Sequence, residues 1–259
     1  MDFISAIILG IVEGLTEFLP ISSTGHLILT ASLLGIKQDD FLKSFEVIIQ
    51  LGSILAVLFV FWKKLFYNSF SLWVKLGVGF LPAGVLGFLF HSLITRIFEE
   101  VISIAIMLVL GGIVFIWVEK FYKEKEHHIK DIEQISYKQA LLIGFFQALA
   151  MIPGTSRSGA TIIGGLLLGC SRKVAVEFSF LLAIPTMIAA SGYTAYKNYA
   201  IFNMDNLLIL AVGFVVAFFS ALLAIKFFLG FISRFNFVPF GIYRIILGGI
   251  IFLFYFGVF

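Results

Sequence analysis

Two short polar stretches carry the groups able to do chemistry in this chain. EGLTEFLPISSTGH runs from Glu13 to His26, and PGTSRSGAT runs from Pro153 to Thr161. Glu13 and Glu17 stand four residues apart, so on a helix both carboxylates project from one face, one turn apart. Inside an apolar segment each buried charge costs roughly 2.5–3.5 kcal/mol on insertion scales, so the pair needs compensation. One solution is a structural ion pair with Arg157. The other, favoured by the general behaviour of ionisable groups inside membranes, is a site for a divalent cation, a proton or phosphate chemistry.

The run Pro20 to His26 packs three hydroxyls and an imidazole into seven residues. Pro20 stops one helix and Gly25 permits a tight turn, which leaves the amides at the start of the next helix free to face an anion. Ser22, Ser23 and Thr24 either donate to that anion or cap the helix. His26 lies three residues from Ser23 and four from Ser22, so on a helical turn either hydroxyl reaches the ring. The second stretch adds Arg157, whose fixed guanidinium fork suits phosphate oxygens better than a lysine. Ser156 and Ser158 flank it, and a second proline-to-helix turn supplies further donors. One stretch has carboxylates and histidine, the other has arginine, so neither is complete alone.

The elements that position these stretches form a duplicated chain. With a shift of 134 residues, Ala6 to Gly35 overlays Ala140 to Gly169: Gly10 falls on Gly144, Glu13 on Gln147, Ser22 on Ser156 and Gly25 on Gly159. Val78 to Phe80 recurs at Val212 to Phe214. With 61% hydrophobic and 13% charged residues and a mean hydropathy of +1.09, the chain has too little polar surface for a soluble globule. Apolar runs at 45–62, 71–91, 101–118, 174–196, 207–229 and 241–258 are long enough to cross a bilayer at about 20 residues each. The pairs 3–19 with 25–36 and 138–152 with 158–170 hold shorter runs and read as re-entrant hairpins. The expected fold is an all-α integral membrane protein with six transmembrane helices and two re-entrant helical hairpins. Three crossings per half make the repeat an inverted one, with repeat one over 1–118, a linker over 119–138 and repeat two over 139–259.

Positive loop residues favour the cytoplasm. With both termini outside, thirteen lysines and arginines, Arg244 among them, fall at inner loops or span ends, against Lys37, Lys43, Arg96 and Lys197 outside. The linker is then cytoplasmic, and its His127 and His128 read as solvated loop rather than metal ligands. Asp2, Glu13 and Glu17 argue against a signal peptide. The single cysteine, Cys170, reads as a packing residue, and the net charge of +3 implies no nucleic-acid partner. Glu46 and Gln50, one turn apart, are candidates to line the site. Glu177 reads as an ion-pair partner of Arg172 or Lys173.

EGLTEFLPISSTGH followed by PGTSRSGAT, with FEVIIQLGSILAV from Phe45, resembles the undecaprenyl pyrophosphate phosphatase family over the full chain. The resemblance implies a bacterial plasma-membrane enzyme, linked to bacitracin resistance, that removes the terminal phosphate of undecaprenyl diphosphate at a site open to the outer face. The product is the monophosphate carrier used for peptidoglycan and other envelope polymers. It carries catalytic roles onto Glu13, Glu17, Ser23, His26 and Arg157, with Glu13 and Glu17 holding Mg²⁺ or Ca²⁺ or managing protons. His26 would activate Ser23 or attack phosphorus itself, and attack by water stays open. Ser22, Thr24, Gly25, Gly154, Thr155, Ser156, Ser158 and Thr161 are the expected phosphate-binding set. The partners are undecaprenyl diphosphate and membrane lipid, and a homodimer is left open. The alternative is a secondary transporter or lipid-carrier flippase of the same architecture, which would move substrate without cleaving a bond.

Overall fold

The computed structural model describes residues 1–67, 70–98, 101–201 and 203–256. Among them the chain forms ten α-helices: α1 Phe3–Thr16, α2 Ser23–Leu33, α3 Asp40–Tyr67, α4 Phe70–Phe98, α5 Val101–Phe121, α6 Tyr137–Leu149, α7 Arg157–Leu167, α8 Arg172–Lys197, α9 Met204–Ile232 and α10 Val238–Tyr255. The only β pairing among the described residues is an isolated bridge between Ile129 and Cys170. Six helices (α3, α4, α5, α8, α9 and α10) are long and apolar enough to cross a membrane, so the chain is an all-α, multi-pass membrane protein. The expected spans fall inside these helices. The last, read as 241–258, is helical to Tyr255, and 257–259 lie outside the described residues.

The four remaining helices are short. At about 1.5 Å per residue, the 14 residues of α1 and the 11 of α2 rise less than the ~30 Å of a hydrocarbon core. The same holds for the 13 of α6 and the 11 of α7. The duplication persists in the helix boundaries: α1 and α6, α2 and α7, and α4 and α9 each start 134 residues apart, at Phe3 and Tyr137, Ser23 and Arg157, and Phe70 and Met204. Packing exchanges the halves, since α1 lies on α9 and α6 lies on α4.

Glycine makes both of these crossings close. A Cβ on Gly10 would stand 2.7 Å from the Gly213 carbonyl oxygen, and one on Gly144 would stand 2.2 Å from that of Gly79. Small residues let helix backbones approach where lipid supplies no hydrophobic drive. Gly144→Val is therefore expected to wedge α6 off α4 and destabilise the fold by about 1–3 kcal/mol. Thermal unfolding in detergent measures it, and an unchanged midpoint would contradict the close crossing.

The core centres on α8, the most buried span, with Phe178, Phe180, Leu181, Leu182 and Ala183 all fully enclosed. It packs against α3, α4 and α7. Glu177 on α8 pairs with Lys64 of α3, which corrects the expected pairing with Arg172 or Lys173. Arg172, five residues before Glu177, does not share its face and instead holds Glu119 at 2.6 Å with Glu124 nearby at 3.8 Å, while Lys173, one turn before Glu177, makes no ion pair with it among the described residues. The linker docks on the second hairpin: the Tyr122 hydroxyl donates to the Cys170 carbonyl at 2.8 Å, and the His128 ring stacks on Tyr122. Cys170 is free and buried.

Candidate active site

The two loops have one local design. Ser22 and Ser156 each hold φ at +71°, a left-handed value that costs a non-glycine residue on the order of 1–3 kcal/mol. Each is the N-cap of the following helix, and its hydroxyl accepts from the third residue on, Gly25 N–H at 3.5 Å and Gly159 N–H at 3.1 Å. The carbonyls of the same serines take the next amides, those of His26 and Ala160. The first two amides of each helix, at Ser23 and Thr24 and at Arg157 and Ser158, are thereby left as the open donors of a helix N-terminus.

These loops meet. The Arg157 Nη2 donates to Glu17 Oε1 at 3.0 Å, and the Ser23 hydroxyl donates to Glu17 Oε2. Ser23 and Arg157 are equivalent positions of the two halves, the first residues of α2 and α7. One carboxylate thus gathers the leading side chain of each half. Arg157 Nη1 donates to the Ser179 carbonyl at 2.8 Å, and the guanidinium lies 5.7 Å over the buried Phe18 ring. Ser158 crosses to the other loop, donating to the Leu19 carbonyl at 2.9 Å. Arg157 Nε and Thr155 Oγ1 are buried without a partner among the described residues. Orphaned donors of this kind cost free energy unless something satisfies them, and an anion at the tips would do so.

Glu13 is fully buried, and among the described residues neither of its oxygens has a hydrogen-bond partner. The half-buried Glu46 lies within electrostatic reach of Glu13, and its Oε1 is likewise unpartnered. Unpaired buried carboxylates require a proton or a cation. Among the described residues no three His, Cys, Asp or Glu side chains form a metal site by themselves. The donor set nevertheless fits Mg²⁺, which is commonly held by one or two carboxylates and completed by substrate phosphates. Of the pair, Glu13 is the one whose oxygens could hold such an ion, since those of Glu17 already accept from Ser23 and Arg157.

His26 sits apart from the Ser23 hydroxyl. Its Nδ1 is 2.7 Å from the Ser22 carbonyl, which can only accept, so Nδ1 carries the proton and Nε2 takes the Tyr243 hydroxyl at 2.7 Å. Thr24 is exposed at the tip and Gly25 is buried. Ser156 lies 3.2 Å from Ser158. Thr161 points inward, to the Arg157 carbonyl at 2.9 Å and the Ser179 hydroxyl at 2.6 Å. Gln50 is half-buried on α3 and, among the described residues, bonds to neither loop.

Sequence reasoning missed two neighbours on α10. Tyr243 anchors His26, and Arg244, expected at an inner span end, is instead 0% exposed and donates to the carbonyls of Pro20 and Gly154 at the loop tips. The signal available was an arginine inside a run otherwise fit to span the membrane, a residue that rarely lies there without a role.

Residues 6–250 match the family described as Bacitracin resistance protein BacA. An undecaprenyl-diphosphatase of Wolinella succinogenes is 64% identical over 255 residues, covering 98% of each chain. One from Persephonella marina is 61% identical over 254 residues, covering 98% of this chain and 99% of its own. One from Methanococcus aeolicus is 51% identical over 255 residues, again covering 98% and 99%. With the match running through both loops and all six spans, the chain belongs to the bacitracin resistance protein BacA family.

Proposed function

We propose that this protein hydrolyses undecaprenyl diphosphate to undecaprenyl phosphate and inorganic phosphate, returning the lipid carrier to cell-wall polymer synthesis and conferring bacitracin resistance. The observation that carries the reading is the sharing of Glu17 by Ser23 of one half and Arg157 of the other, within a chain whose relatives bear that enzyme's name over nearly their whole length. The transporter alternative has no support in that comparison.

Phosphoryl transfer needs little more than positioning and charge stabilisation, and the loops offer both. Arg157 Nε and the four open amides receive the phosphate oxygens. Ser23 Oγ attacks the terminal phosphorus, its proton passes to Glu17, and the bond to the bridging oxygen breaks so that undecaprenyl phosphate leaves with the electron pair. Water then cleaves the phosphoserine, releasing inorganic phosphate and restoring Ser23. His26, held between Ser22 and Tyr243, keeps the strained Ser22 carbonyl in place. A bound Mg²⁺ or Ca²⁺ would neutralise diphosphate charge, with Glu13 as its protein ligand and Glu46 adding to the negative field there.

In this reading the repeat is inverted, the hairpins enter from opposite faces of a bacterial inner membrane, both termini are outside and the site opens outward. Three spans per half and the lysine and arginine bias support it, with twelve inner charges against four once Arg244 is removed from the inner count. Phosphate release by pure protein in detergent, from long and short prenyl diphosphates with and without chelator, tests the function. Lipid movement with no phosphate released would refute it. Glu13→Gln is expected to lower turnover about 100-fold and to abolish its response to added Mg²⁺ or Ca²⁺. A parent-like metal titration would take Glu13 out of that role.

A further inference from the structure

We infer that Arg244 is a positioning residue: a clasp that holds the two loops together and so sets the spacing of Glu17, Ser23 and Arg157. Its guanidinium is wholly enclosed, and among the described residues no carboxylate pairs with it. Five backbone carbonyls surround it instead: Pro20 at 3.2 Å, Gly154 at 3.0 Å, Thr155 at 3.1 Å, Met107 at 3.1 Å and Leu108 at 3.4 Å. Pro20 and Gly154 are equivalent positions in the repeat, so Arg244 grips the same carbonyl of each half.

That grip answers an electrostatic problem. Bringing the loops tip to tip aims the negative ends of their carbonyl dipoles at one point, and a cation between them turns repulsion into attraction. A lysine would put its charge on a single atom, whereas the planar fork reaches several carbonyls at once. An apolar side chain in its place would leave those buried carbonyls facing one another without a donor. Space for the fork is provided by Gly111 on α5, where an added Cβ would stand 2.2 Å from Arg244 Nη2. The sequence neighbour Tyr243 meanwhile fixes His26, so one turn of α10 braces both the first loop and the junction.

The test compares the parent with Arg244→Lys and Gly111→Ala, the second of which displaces the guanidinium while keeping it. Hydrogen–deuterium exchange is followed at 17–24 and 151–158, together with kcat and KM on a prenyl diphosphate in detergent. Only the kinetic arm rests on the phosphatase reading. Arg244→Lys is expected to speed exchange in both loops and to lower kcat about 100-fold, the scale of a misplacement near 1 Å, with KM changed less than about threefold. Gly111→Ala shifts both readouts in the same direction by less. Unchanged exchange, or faster exchange in one loop alone, overturns the clasp. So does a KM effect without a kcat effect. If Arg244→Lys does not fold, Gly111→Ala decides, and parent-like exchange and kcat there overturn the inference. Failure of both to fold also overturns it, because Arg244 would then serve helix assembly. A parent that releases no phosphate while exchange responds as expected supports the clasp and refutes the phosphatase reading.

Discussion

Arg157→Lys is expected to fold as the parent does and to turn over prenyl diphosphate about 10²–10³ times more slowly, a loss of ~3–4 kcal/mol of transition-state stabilisation. Lysine keeps the charge and loses the fork. In the parent, one arm of the guanidinium holds Glu17, another holds the Ser179 carbonyl, and Nε is left for a phosphate oxygen. An ammonium in that space satisfies Glu17 or the phosphate, not both in the planar geometry. Turnover within tenfold of the parent, measured on protein with an unchanged unfolding midpoint, would remove Arg157 as the phosphate clamp.

Ser23→Ala carries the largest expected effect, a fall of about 10³-fold or more, as for removal of a nucleophile. The reason is the hydrogen bond to Glu17, which gives Ser23 a carboxylate to receive its proton. His26→Ala is expected to cost far less, about tenfold, because the ring touches the Ser22 carbonyl and Tyr243 rather than the Ser23 hydroxyl. Acid-quenched digests of the parent should contain phosphorylated Ser23. Surviving activity in Ser23→Ala beside a dead His26→Ala would exclude Ser23 as nucleophile.

Much of this candidate site is legible in the sequence, for a physical reason. Polar groups in a run otherwise fit for lipid stand out by their cost, so Glu13, Glu17 and Arg157 are conspicuous from the residues themselves, with Arg157 a candidate partner for the carboxylates, whereas Ser23 is separated from Ser22 only by the family resemblance. Spacing served less well within the first loop. The three-residue spacing of Ser23 and His26 suggests a hydroxyl–imidazole pair, but the +71° φ at Ser22 turns the chain so that the ring folds back onto the Ser22 carbonyl. The Ser23 hydroxyl then reaches six residues upstream. Lys64 and Glu177 show a different limit: their contact depends on how α3 crosses α8, and sequence neighbours gave the wrong partner. Arg244 was the hardest case, since nothing in a one-dimensional pattern measures its distance to Pro20 or Gly154.

The equivalence of Ser23 and Arg157 has one more consequence. A dimer of identical half-chains would present Glu17 with two hydroxyls, lacking any counter-charge, or with two guanidiniums, lacking anything to attack phosphorus. Joined and diverged, the halves supply one of each. A hydroxyl and a guanidinium on one carboxylate therefore require the two halves to differ at this position.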